Sequence, residues 1–192
     1  MKITVGIPEA SRGEAAALYW EAFGAKLGFT MGPKYRALIY INRVMRSDHG
    51  ICAHDAQGRL IGVAGFKTAQ GALVGGTFTD IRKVYGWVGA AIRVSLMGAL
   101  ERDTENERFL MDGLFVAREA RGQGVGTALL NEISAEAKRR GYRQIRLDVV
   151  DTNPRARALY LQEGFRELET HQLGLLRYIF GFNAATVMVR DV

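Results

Sequence analysis

Two apolar runs stand either side of Asp55–Arg59 in GICAHDAQGRLIGVAGFKTA (50–69). A polar turn carrying Gly58 between such runs predicts a β-hairpin. RFLMDGLFV (108–116) and QIRLDVV (144–150) are further apolar runs of strand length. Between them the period changes. Val125, Leu129, Ile133 and Ala137 recur at helical spacing, and Lys138, Arg139 and Arg140 precede Gly141, which predicts a helix over 125–140. ITVGI (3–7) predicts a first strand. EASRGEAAALYWEAFGAKLG (9–28) predicts a helix with Ser11 as cap, Glu14 three residues on, and Gly28 as its end. KYRALIYINRVM (34–45), after Pro33, predicts a second helix. A short helix over 154–163 and strands over 165–168 and 185–191 complete the order. The strand–helix–strand unit over 108–150 implies a parallel pair with a right-handed crossover, and the hairpin implies antiparallel neighbours, so the sheet is mixed.

One run stands apart. VYGWVGAAIRVSLMGAL (84–100) carries a single charge, Arg93, and three glycines. It is shorter than the roughly 20 apolar residues a membrane helix needs. The expectation is a buried or pocket-covering helix, an insertion at about 80–104, and no membrane partner. RYIFGF (177–182) alternates aromatics and reads as hairpin core or as an apolar wall. Trp20, Tyr35, Tyr40, Tyr85 and Trp87 could join such a wall.

The chain has 192 residues, of which 48% are hydrophobic and 24% charged. That suits one folded domain over 1–192. A single cysteine, Cys52, excludes an internal disulfide and fits a reducing, cytoplasmic setting. The start, MKITVGIPEASRG, has no apolar core behind its lysine and reads as no signal peptide. The net charge of +6 is spread along the chain without a long basic tract, which argues against nucleic acid and leaves an anionic ligand open. His49, Cys52, His54 and Asp55 lie close in sequence, but a strand puts only Cys52 and His54 on one face. No metal is expected there. Cys52 as an acyl carrier lacks a histidine partner in the sequence.

The chemistry concentrates in REARGQGVGTALL (118–130), which follows a strand and opens a helix. The first N–H groups of a helix have no intrahelical acceptor and face an anion with the positive end of the helix dipole. Gly122, Gly124 and Gly126 let backbone approach a phosphate, and Arg118 and Arg121 add charge. No lysine follows the glycines as a nucleoside-triphosphate loop requires, and Thr127 and Leu129 break the dinucleotide spacing. A tight turn without a ligand remains an alternative at this point.

A second motif, NPRARALYLQEGF (153–165), follows the next strand. Arg121-x-x-Gly124-x-Gly126, followed by Asn153, Ala156, Leu159, Tyr160, Gly164 and Phe165, resembles the two motifs of the GCN5-related N-acetyltransferases. The resemblance is firm over about 108–168. It implies an α/β fold of the α+β type: a mixed, mostly antiparallel central sheet with a splayed parallel pair, flanked by helices. The 84–100 segment departs from the family's minimal pattern.

The resemblance implies acetyl-CoA as cosubstrate and no metal. It places the pyrophosphate on Arg121, Gly122, Gln123, Gly124, Val125, Gly126 and Thr127, and the pantetheine arm beside Leu114, Phe115 and Val116. Asn153 can cap the 154–163 helix, contact the cofactor, or both. Tyr160 is the expected general acid to the CoA thiolate; a half-buried aromatic bonded to backbone is the alternative. Asp112 is expected to share a face with Leu114 and Val116 on a regular strand and is the candidate base, unless it serves a salt bridge. Glu101, Asp103, Glu105 and Glu107 are its rivals. A backbone N–H near Phe115 or Val116 would polarise the acetyl carbonyl. The expected activity is acetyl transfer to a primary amine of a small molecule or peptide, directly, in a ternary complex. A non-catalytic acyl-CoA-binding or sensing module is the runner-up, and a nucleotide-binding domain with Asp148 on the ribose is a third reading. Homodimers are common in the family, so a homodimer is open.

Overall fold

A computed structural model describes residues 1–98 and 107–192. The chain runs β1 (Lys2–Val5), α1 (Arg12–Met31), α2 (Lys34–Val44), β2 (Gly50–His54), β3 (Leu60–Thr68), β4 (Gly71–Ala72), α3 (Phe78–Gly98), β5 (Phe109–Val116), α4 (Val125–Arg139), β6 (Gln144–Val150), α5 (Pro154–Gln162), β7 (Arg166–Gln172), α6 (Arg177–Phe180) and β8 (Ala184–Asp191). The described strands form one eight-stranded sheet in the order β1-β2-β3-β5-β6-β8-β7, with β4 on β3. Every neighbouring pair is antiparallel except β5 and β6. The mixed, mostly antiparallel sheet flanked by helices is the fold expected from sequence.

Each face of the sheet has its own core. On one, α4 lays Val125, Leu129, Leu130, Ile133 and Ala137 against Ile51, Ala64, Met111 and Leu147. The helical period read from sequence is the period of burial, because one stripe of α4 meets the sheet. On the other, α1, α2 and α3 cover Cys52, Val63 and Phe115 with Ala15, Ala16, Tyr40, Ile41, Ile81 and Tyr85. The outermost strand, β7, is exposed at almost every position and carries Arg166, Glu167, Glu169 and His171, charges that discourage edge pairing with another chain.

Several local expectations change. Ser11 makes no cap bond; its hydroxyl lies 3.2 Å from His54 Nε2, and Glu14 accepts from the Leu60 N–H at 3.2 Å. Both side chains tie α1 to the hairpin, so tertiary partners outcompete the local capping box. Helix α1 continues past Gly28 to Met31. Residues 84–98 of the run belong to α3, which starts at Phe78 and kinks at Gly86 (φ 74°). It is no buried helix: Tyr85 and Ala90 face the core, while Trp87, Val88 and Ile92 face outward. Residues 99–104 of the expected insertion lie outside the described residues. No helix among the described residues is long and apolar enough to cross a membrane. The RYIFGF segment forms the single helical turn α6, preceded by a 3-10 turn over Gly174–Leu176, rather than a hairpin, with Phe180 and Phe182 buried and Tyr178 exposed.

Gly65 shows how closely the second face is packed. A Cβ there would lie 2.5 Å from Leu73 Cδ2 and 2.9 Å from its Cβ, so a side chain must push the buried Leu73 aside. Gly65→Ala should lower unfolding free energy by about 1–3 kcal/mol, measured by urea denaturation; an unchanged midpoint would show that this face can yield.

Candidate active site

Strands β5 and β6 are paired only at Phe109–Ile145 and Leu110–Arg146. Beyond these two pairs they diverge and open a gap. On its other side β5 is paired with β3 to its end, at Gly62–Val116. The Ala117 N–H donates to the Ile61 carbonyl at 2.9 Å. Main-chain groups of a strand alternate in direction, so Phe115 directs its N–H and C=O at Val63. Leu114 and Val116 direct theirs into the gap. The Val116 carbonyl accepts from Arg121 Nε at 3.0 Å. The Leu114 groups and the Val116 N–H face the side where β6 has withdrawn.

The glycine turn closes the end of this gap. Gly122 and Gly124 have φ of 79° and 78°, a region that costs an L side chain about 1–2 kcal/mol. Gly124 precedes the first residue of α4, and Ala128 donates to its carbonyl at 3.0 Å. The N–H groups of Val125, Gly126 and Thr127 come before that bond, in the turn where a helix offers no acceptor. Gly126 meets a different need. A Cβ there would lie 3.0 Å from Leu159 Cδ2 and 3.9 Å from Leu114 Cδ2. Its missing side chain lets α4, α5 and β5 converge.

Cations surround the turn. Arg118 and Arg121 are exposed, and Arg121 also approaches Glu21 of α1 at 3.9 Å. Arg155 Nη2 lies 4.0 Å from where a Gly122 Cβ would be. Sequence reading did not single out Arg155; its place in the first turn of the 154–163 helix was the available signal. Two predicted side chains are engaged elsewhere: Gln123 Nε2 donates to the Glu119 carbonyl at 2.8 Å, and the Thr127 hydroxyl to Glu163 at 2.7 Å. These residues present main-chain N–H groups to the turn, not free side chains.

Asn153 caps α5, accepting from the Ala156 N–H at 3.2 Å, with Pro154 at the first helical position. Tyr160, two turns on, is 6% exposed and packs 5.8 Å from Phe165, ring to ring. Burial pushes its phenol from 10.0 up to about 12. Its hydroxyl has no hydrogen-bond partner among the described residues, yet it is not one of the fully covered orphan atoms. The oxygen is therefore not completely covered, although the ring is buried.

Asp112 is the correction that matters most. The β3–β5 register passes from Gly65–Gly113 to Phe66–Met111 and leaves Asp112 unmatched, a β-bulge. The bulge reverses the alternation: Met111, before it, packs in the α4-side core, and Phe115, after it, in the α1-side core. Leu114 and Val116 pack against the α4 side, so Asp112 does not share their face. It is exposed and faces α1, where burial first and the Asp112 carboxylate second hold the Tyr19 phenol far above its ordinary range. Tyr19 packs on Phe23 at 4.8 Å and on Phe115 at 5.7 Å. These α1 aromatics escaped the sequence reading, although their spacing of four on a helix was visible. Glu101, Asp103 and Glu105 lie outside the described residues, and Glu107 is exposed ahead of β5. His49 is buried against Phe66, bonded to Asp48 at 2.9 Å and Thr68 at 3.0 Å.

The model of the acetyltransferase (GNAT) family matches residues 14–165. The chain belongs to that family. The GNAT assignment covers both sequence motifs and most of the sheet. A thialysine N-epsilon-acetyltransferase from Bos taurus is 36% identical over 58 residues, 30% of this chain; the chain spans about a third, 34%, of that relative's length. Solved structures share the fold over the whole chain. An acetyltransferase has a TM-score of 0.68 at 18% identity, with 100% of each chain covered. A GCN5-related N-acetyltransferase from Kribbella flavida has 0.61 at 20%, covering 100% of this chain and 97% of its own. A phosphinothricin acetyltransferase from Sinorhizobium meliloti, in complex with AcCoA, has 0.61 at 15%, covering 100% and 88%.

Nothing lies within 4 Å of a Cβ built on Gly124, so its backbone alone resists substitution. Gly124→Ala should cost about 1–2 kcal/mol of stability, and Gly124→Asn less, since asparagine tolerates positive φ. Thermal melts of the two variants check the order; equal losses would show that crowding, not φ, governs the position.

Proposed function

We propose that this GNAT protein transfers an acetyl group from acetyl-CoA to a primary amine, directly, in a ternary complex. The observation that carries the reading is the gap beside β5, which ends on a helix N-terminus ringed by Arg118, Arg121 and Arg155. Its parts fit the cosubstrate. The Leu114 main chain can bond an amide-bearing arm as a strand would. The first N–H groups of α4 and the three guanidiniums suit a pyrophosphate. Arg121 has a double role, because it also holds the Val116 carbonyl and so fixes the turn to the strand. Asn153 caps α5, the helix that carries Tyr160, and in this reading need not touch the cofactor.

Bound acetyl-CoA supplies the acetyl group as an activated thioester and leaves as a thiol. The residues here manage protons and charge. Tyr160 Oη keeps its proton at neutral pH, because its pKa of about 12 leaves the phenol neutral. Its hydroxyl, without a hydrogen-bond partner among the described residues, is suited to donate to a sulfur leaving group. The Val116 N–H is placed to polarise a carbonyl oxygen. Asp112, exposed at the bulge on the α1 side, is the candidate acceptor of the amine proton. An acyl-cysteine route is disfavoured: Cys52 is fully covered, and burial raises its thiol to about 12, so no thiolate forms at neutral pH. The binding of AcCoA by the S. meliloti relative supports the same cosubstrate, and the thialysine-acetylating relative supports an amine acceptor.

Thiol release measured over a panel of amines tests the reading, beside calorimetric titration with CoA. Tight CoA binding with turnover on at least one amine is expected. Binding without turnover would make the protein an acyl-CoA-binding module, and no CoA binding would end both readings. Tyr160→Phe should lower kcat about 10²-fold or more with little change in CoA affinity; an unchanged kcat would remove the acid role.

Tyr160 also has a stability signature. Its folded pKa lies above the unfolded value of 10.0, so its linked stability is complete below pH 10 and is lost as the pH rises through 12. Alkaline melts should therefore destabilise wild type more steeply than Tyr160→Phe. Parallel curves would show that the phenol titrates freely.

A further inference from the structure

The outward faces of α2 and α3 have no role in the gap. Trp87 is 67% exposed, Val88 75% and Ile92 55%. They follow the kink at Gly86, which turns the second half of α3 so that these side chains project from its shoulder. Phe78 stacks on Trp87 at 5.7 Å. Tyr35 and Ile39 project one turn apart from α2, and both are more than half exposed. The two helices are neighbours in one layer, joined by Arg43–Asp80 at 3.4 Å and Tyr40–Tyr85 at 6.3 Å. Large apolar side chains grouped on one surface mark an interaction face.

The charge on this face is of one sign. Lys34, Arg36 and Arg43 lie on α2, and Arg82 and Lys83 on α3. Asp80 is the single acid of the two helices, and Arg43 and Thr77 hold it. The Arg82 guanidinium covers the Trp87 ring at 4.6 Å, and Arg36 covers Tyr35 at 5.7 Å. Trp87 and Tyr35 thus each carry a cation. A second copy of the chain, set against itself, would bring lysines and arginines onto lysines and arginines. The projecting side chains form ridges, whereas a protein partner would have to supply pockets for each. A fluid anionic surface has neither requirement. Trp and Tyr settle at its headgroup level, aliphatic side chains enter its acyl boundary, and basic residues meet its charge.

We infer that the outer face of α2 and α3 docks on an anionic lipid surface, with Trp87, Val88 and Ile92 entering the interface and Lys34, Arg36, Arg82 and Lys83 meeting headgroups. The expectation of no membrane partner rested on the lack of a spanning segment, and surface docking needs none. The site proposed for acetyl transfer lies elsewhere on the sheet, so this inference stands or falls separately from that reading.

Flotation with vesicles of equal parts phosphatidylglycerol and phosphatidylcholine tests it, against vesicles of phosphatidylcholine alone. The wild-type chain should float with the anionic vesicles, stay below with the neutral ones, and be released by salt. Lys83→Gln and Arg36→Gln should each weaken partition about fivefold. Trp87→Ser should weaken it about tenfold or more, with melting temperature and CoA titration showing the variants folded. Absence of wild-type flotation, equal flotation on both vesicles, or variants that float like wild type would each overturn the inference. So would a dimer in light scattering that Trp87→Ser splits, because the face would then serve a second copy.

Discussion

Strands β5 and β6 hold each other over two residue pairs and then part. Paired strands satisfy their N–H and C=O groups mutually, so parting leaves a row of backbone groups on β5 without a strand to answer them. The rest of the molecule is arranged around that row. Strand β3 holds the far side of β5 to its end, so the divergence cannot spread into the sheet. Arg121 takes up the last carbonyl from the glycine turn. Helix α4 starts where the gap ends, and Gly126 lets α5 close on it beside Leu114. A parallel pair needs both faces covered, and α4 on one side with α1 on the other does so while the opening between the strands stays accessible.

Much of this was legible because it is local or repetitive. The apolar stripe of α4, the 50–69 hairpin and the strand–glycines–helix order each carry their signal within one short stretch. The two motifs, 118–130 and 153–165, then resembled a family whose assignment and fold the comparisons support. The features that were not legible depend on partners far along the chain. Asp112 looks like any residue of an apolar strand, and only its unmatched position against Gly65 and Phe66 makes it a bulge. Ser11 and Glu14 have the spacing of a capping box, but His54 and Leu60 take their hydrogen bonds. The hydrophobicity of 84–100 suggested burial, yet composition does not say which way a helix turns after a glycine at φ 74°.

Electrostatics separate the two ends of the proposed site. At the glycine turn, positive charge is abundant and exposed: guanidiniums, backbone N–H groups and a helix dipole all favour an anion. Near Tyr160 the design is the reverse. The phenol is buried, neutral and without a hydrogen-bond partner among the described residues, so its proton is uncommitted there. A phenol bonded to backbone would be steadier but would have spent its donor, and an exposed one would lose directional control to water. The cysteine that could compete as an acyl carrier sits in the opposite core, behind Val63 and Phe115, with its thiol held protonated.

The bulge at Asp112 gives these ends their counterpart across the strand. On a regular β5, Asp112 would join Leu114 and Val116 on the α4 side, and a carboxylate would stand among the groups proposed to receive a polyanion. One inserted residue moves it to the α1 side, beside Tyr19, and leaves Leu114 and Val116 facing α4. A shift of one residue exchanges the faces of everything that follows, so the insertion sorts negative charge to one face and backbone donors to the gap. On the proposed reading, the backbone donors of this strand serve the anionic cosubstrate while Asp112, on the α1 side, is kept apart from them.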